Sequence, residues 1–149
     1  MTINEIKIEA LKLMFTNYSE DIDNVDMLYN DDNYSAYIMS MNGAINRALA
    51  RLWAKRIIRN SFVPLPTSFA VDNTQELEDA ITPPDKERVH IPIDVQLLIP
   101  YYIKADLYEE DEPALAAQAR NIFEQSIDDR RDEDEQEQLV NVFRQGWLG

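Results

Sequence analysis

His90 is the only histidine in a chain of 149 residues that has no cysteine, and that pair of facts bounds the chemistry first. A transition-metal site of the usual kind needs more nitrogen and sulfur donors than one imidazole supplies. Ser-His-Asp catalysis would need His90 beside a serine on a strained, glycine-flanked turn, and no GxSxG occurs. Set between Val89 and Ile91, His90 reads as a structural or surface residue. No Gly-rich phosphate loop exists either, since two of the three glycines are Gly146 and Gly149. The run DIDNVD, residues 21–26, alternates acids as a calcium loop does, but Val25 stands where a ligand is needed and Asp26 where the sharp turn needs glycine. Asp106 is the one acid among core-like residues, and spacing assigns it no partner. These patterns predict no catalysis, no cofactor and no metal.

Charge pairing is the chemistry that the spacing does suggest. Arg47, Arg51, Lys55 and Arg59 repeat every four residues, so they share one side of a helix. From Gly43 to Arg59 there are five basic residues and no acid, in a chain of 28 acids and 14 bases with a net charge of −14. Two readings stand: the stripe pairs with acids of its own chain, or it meets an acidic partner surface, an identical neighbour included. A second unusual stretch closes the chain, where the acidic DDRRDEDEQEQ, residues 128–138, precedes Leu139, Val140, Val142, Phe143, Trp147 and Leu148. That end reads either as completing the chain's own core or, preferably, as a tail that docks on another surface.

The elements that must hold these residues are mostly helices. Thr2 and Glu5 have capping-box spacing ahead of Ile3, Ile6, Ala10, Leu13 and Met14, so a first helix is expected over about 3–16. Residues 17–33 read as a loop with one turn near Val25 to Tyr29. A long second helix is expected from Tyr34 to Arg59, with Asp31, Asp32 or Asn33 as its cap and Ile38, Met41, Ile45, Leu49 and Leu52 on its inner side. Prolines then break the pattern, and residues 61–93 read as a loop or β-hairpin excursion with short extended runs at 68–71 and 87–93 and a helical turn near 76–80. Asp94 to Ile127 predicts two antiparallel helices joined by the acidic turn EEDEP, with Leu98, Tyr102 and Ala105 inward on the first, bent at Pro100, and Leu115, Ala119, Ile122 and Ser126 inward on the second. Beyond Ile127 the helix is expected to fray into a solvated linker.

The expectation is therefore a mainly α protein: a bundle of about four helices in one domain, residues 1–127, with the 61–93 excursion and an extended C-terminal tail, 128–149. The acids at the N-terminal end argue against a signal peptide, and no stretch reaches the ~20 apolar residues of a membrane span. An intracellular protein without membrane attachment is expected, and the sequons at Asn17 and Asn33 then carry no glycan.

The capped first helix, the long helix with AINRALARLW, the excursion ending in IPID, and LLIPYYIKADLYEEDEPALAAQARNIFEQ together resemble the head-tail adaptor (connector, or head-completion) proteins of tailed bacteriophages. In that pattern a helix, here Tyr102 to Tyr108, is followed by an acidic, proline-containing turn, Glu110 to Pro113, and an Ala-rich helix ending near Phe123. The long excursion departs from it. The resemblance implies a structural virion protein without catalysis, made in the host cytoplasm and located at the head-tail interface. Identical subunits, commonly twelve, would form a ring between the portal protein and a tail-side stopper or tail protein, and DNA would pass through without sequence-specific binding. Arg47, Arg51, Lys55 and Arg59 would then face a subunit or the portal, and the apolar tail would dock. The acid excess suits a channel wall that repels phosphate. Two other functions stay open: a small nucleic-acid-binding module using the basic face of the second helix, and a monomeric acidic protein that masks a basic partner.

Overall fold

A computed structural model describes residues 1–15, 18, 23–59, 62–67, 72–81 and 89–148; beyond residue 133 it describes the side chains of 136, 137, 139, 140 and 142. The chain is mainly helical. Helix α1 spans Ile3–Met14, a 3₁₀ turn covers Val25–Leu28, and α2 spans Ser35–Ala54. The short α3, Leu77–Ala80, and α4, Ile93–Gln96, precede α5, Ile99–Leu107, and α6, Pro113–Leu148. Among the described residues there is no strand, only an isolated antiparallel bridge between Thr2 and Glu76. The extended run expected at 68–71 and the start of the one expected at 87–93 lie outside the described residues; of the latter, residues 89–92 form no strand and Ile93 begins α4, whereas the turn expected near 76–80 is α3.

Local chemistry explains the ends of these elements. The Thr2 hydroxyl accepts from Glu5 N at 3.1 Å and Glu5 Oε2 accepts from Thr2 N at 2.8 Å, the expected reciprocal cap of α1. No side chain caps α2; the Asp31 carbonyl accepts from Ser35 N at 2.8 Å instead. Helix α2 stops at Ala54, five residues before the expected Arg59, because Arg56 turns left-handed with φ 60° and the amides of Ile57 and Ile58 return to the Leu52 carbonyl. The gain is visible in Ile58. Seven residues after Arg51, it would share that outward stripe in a continued helix, yet here it is buried.

The expected hairpin of α5 and α6 is present, and α5 is the central element, packed against α1, α2 and α6. Two details differ from expectation. Pro100 does not bend one helix; the chain breaks at Leu97 and Leu98, and Pro100 falls in the first turn of α5, where its missing N–H is harmless. Helix α6 buries Ala116, Ala119, Phe123 and Ile127, not Leu115 or Ile122, which are exposed. Of the expected stripe only Ala119 is buried. Phe123 meets Tyr102 edge-on with ring centroids 5.1 Å apart, and the small Ala116 and Ala119 face inward beside it. The larger ring therefore sets the rotation.

The acidic segment also departs from the expected linker. Residues 128–138 continue α6 as helix, and the element runs to Leu148. Its glutamates and glutamines are good helix formers, and the packed portion from Ala116 to Ile127 supplies the nucleus that an isolated arm would lack.

Candidate interaction surface

The basic stripe of α2 lies against acids of the same chain. Arg47 Nε is 3.2 Å from each carboxylate oxygen of Asp106 on α5. Arg51 makes a two-pronged pair with Glu124 on α6, Nε to Oε1 and Nη2 to Oε2, both at 2.8 Å. Lys55 Nζ is 3.6 Å from Asp128. The first of the two readings of the stripe thus describes Arg47, Arg51 and Lys55. Hydrogen bonds to these carboxylates raise the pKa of both arginines above their ordinary value. Arg59, beyond the end of α2, is exposed at a shallow cleft of about 200 Å³ lined also by Ile57, Ile58, Val89, His90 and Pro92. It is not on the stripe, because the turn at Arg56 takes it off the helix.

Gly43 belongs to this arrangement. A Cβ there would come 3.2 Å from Arg47 Nη1, since the guanidinium lies back across the glycine. That guanidinium is the half-exposed end of a flexible side chain and can yield. Gly43→Ala is expected to stabilise the protein by ~0.5–1 kcal/mol in urea unfolding through helix propensity. A net loss would show that the Arg47–Asp106 geometry is worth more than the gained propensity.

The pairs ascend together: Arg51 with Glu124, then Lys55 with Asp128. Helix α6 consequently runs alongside α2 in the same direction and continues beyond its end. A further ion pair, Arg130 with Asp94, ties the exit of α6 to α4. From Arg131 onward every described side chain is exposed, including Leu139, Val140 and Val142. The side chains of Phe143, Trp147 and Leu148 lie outside the described residues.

A buried polar network escaped the sequence reading. Lys7, between Ile6 and Ile8, is fully buried at 0% exposure. Its Nζ donates to Asn73 Oδ1 at 2.7 Å, and Asn73 Nδ2 donates to Asp26 Oδ1 at 2.6 Å. Burial lowers the Lys7 pKa from 10.5 to about 8, and the Asp26 carboxylate opposes part of that fall. Asn73 also accepts from Asn4 N through its carbonyl at 2.7 Å, so α1, the 3₁₀ turn and the loop at 72–75 are joined here. Asp26, the last acid of the DIDNVD run, is engaged in this junction. No spacing rule in the sequence links residues 7, 26 and 73.

The remaining polar candidates are structural or surface features. His90 is exposed, with Nδ1 3.5 Å from Glu78 Oε1, which accepts from Ile91 N at 3.0 Å. An open groove of about 540 Å³ runs along α1 beside Glu5, Glu9, Lys12 and Asp23. Glu5 there is occupied by the helix cap, and Lys12 pairs with Glu9 at 3.4 Å. Among the described residues no three His, Cys, Asp or Glu side chains are grouped to hold a metal ion. None of their helices is long and apolar enough to cross a membrane. No protein-family model, no curated protein and no solved structure matches this chain.

Proposed function

We propose that this protein is a head-tail adaptor of a tailed bacteriophage, a structural subunit that assembles as a ring between portal and tail and encloses the path of the DNA. The observation that carries this reading is the arm of α6. A helical body of this size gains nothing in water from presenting Leu139, Val140 and Val142 on a projecting helix, and such side chains are suited to burial on another molecule. The acidic residues preceding them favour a partner surface with basic character. The nucleic-acid-binding alternative loses support from the same geometry, because Arg47, Arg51 and Lys55 are already paired with carboxylates.

A chain ending at Gln138 tests the proposal. Removing residues 139–149 is expected to leave the melting temperature within a few degrees of the full chain, since the described apolar side chains of that segment touch no core. The same truncation is expected to abolish co-sedimentation with portal protein. A large fall in melting temperature, or undiminished portal binding, would overturn the reading.

A further inference from the structure

We propose that Lys7 and Asn73 become joined by an isopeptide bond that the folded chain makes by itself, with the Asp26 carboxylate carrying the proton. What carries this is the order of contacts in the buried network, amine on amide oxygen and amide nitrogen on carboxylate. Lys7 Nζ lies 2.7 Å from Asn73 Oδ1, and Asn73 Nδ2 lies 2.6 Å from Asp26 Oδ1. The amine donates and the carboxylate accepts, so these two partners fix which end of the amide is oxygen. A nitrogen that close to an amide oxygen is within ~4 Å of the amide carbon, near the separation from which attack proceeds.

One residue of α1 holds the three groups in place. Asn4, three positions before Lys7 and on the same side of the helix, donates its backbone N–H to the Asn73 carbonyl at 2.7 Å. Its side chain accepts from Val25 N at 2.9 Å and donates to the Asp23 carbonyl at 2.7 Å, which seats the turn carrying Asp26. Ile3 N donates to the Gln75 carbonyl at 3.0 Å, and the Thr2–Glu76 bridge pins the chain just beyond. Lys7 and Asn73 are 0% and 2% exposed, so little water reaches the reacting carbon, whereas Asp26 is exposed and opens the leaving side to solvent. Burial also holds the Lys7 pKa at about 8, so on the order of a tenth of the chains carry a neutral, nucleophilic amine at pH 7.

The reaction balances without a co-reactant. The lone pair of Lys7 Nζ forms a bond to Asn73 Cγ, and the Asp26 carboxylate takes the proton that the amine sheds. It returns that proton to Nδ2, the Cγ–Nδ2 bond breaks, and ammonia leaves with the electron pair. One amide replaces another, and nothing is oxidised or reduced. The joined residues are 66 apart in a chain without cysteine, so the bond ties α1 to the loop at 72–75 and constrains the unfolded chain as a disulfide would. Until it forms, Lys7 titrates as a free amine; afterwards its nitrogen carries no charge. The inference is independent of the adaptor reading.

The intact mass of the purified full-length chain provides the test. After several days above about pH 8, where Lys7 is largely neutral, the wild-type chain is expected to be lighter by one ammonia. Protease digestion is expected to release a branched peptide that joins the segments around Lys7 and Asn73. Lys7→Met is expected to keep its full mass. Asp26→Asn, similar in shape but without a base, is expected to form the branched peptide at least about tenfold more slowly. Circular dichroism checks that this variant folds; if it does not, the wild-type and Lys7→Met chains decide alone. A wild-type chain that keeps its full mass would overturn the inference. So would loss of ammonia without a branched peptide, since the Asn73 side chain can also close on its own backbone. A folded Asp26→Asn chain that forms the branched peptide at the wild-type rate would remove Asp26 from the reaction.

Discussion

Phe123→Ala is expected to lower the unfolding free energy by about 3–5 kcal/mol, whereas Ile122→Ala, one residue away, is expected to change it by less than about 0.5 kcal/mol. Phe123 is fully buried and meets Tyr102 edge-on, so truncation removes the ring contact and leaves a cavity between α5 and α6. Ile127, one turn further, is also fully buried and too rigidly placed to fill the space. Ile122 is 46% exposed and loses little that water does not replace. Urea unfolding of both variants at one temperature checks the pair. Equal losses would mean that α6 is rotated from the orientation described.

The next largest effect is a dependence on pH that turns on Lys7. Its pKa is near 8 in the folded protein against an ordinary 10.5, so between those values the unfolded chain binds more protons than the folded one. Stability must then rise with pH across that window, by up to about 3 kcal/mol if Lys7 acted alone. Below about pH 8 the charged amine is buried at a cost that the Asn73 and Asp26 contacts offset only in part. Burial pushes Tyr18, Tyr37, Tyr102 and Tyr108 above their ordinary 10.0, and these act with the opposite sign, removing stability as pH climbs beyond that value. The profile should therefore climb from about pH 8 and turn over above about pH 10. Lys7→Met is expected to flatten the climb and to be close to neutral at about pH 7, since relief from burying the charge is set against an Asn73 acceptor left without its donor, worth ~1–3 kcal/mol. Urea midpoints at several pH values read this directly. A variant that keeps the wild-type climb would place its origin elsewhere.

Much of the architecture was legible in the sequence because it depends on short-range patterns. The Thr2–Glu5 cap, the 3₁₀ turn at Val25, the inner face of α2 and the hairpin around EEDEP all follow from residues within a few positions of one another. The mainly helical class was legible for the same reason. Tertiary structure decided what periodicity leaves degenerate. On α6 two stripes one residue apart are equally periodic, and the fit of Phe123 against Tyr102, with Arg51 and Lys55 reaching Glu124 and Asp128, selected one. The end of α2 was decided by Ile58, whose burial requires a left-handed Arg56 that local propensity disfavours. The partners of Arg47 and Lys7 lie 59 and 66 residues away along the chain. Spacing identified the basic residues, but only the fold could say that carboxylates of the same chain neutralise the stripe.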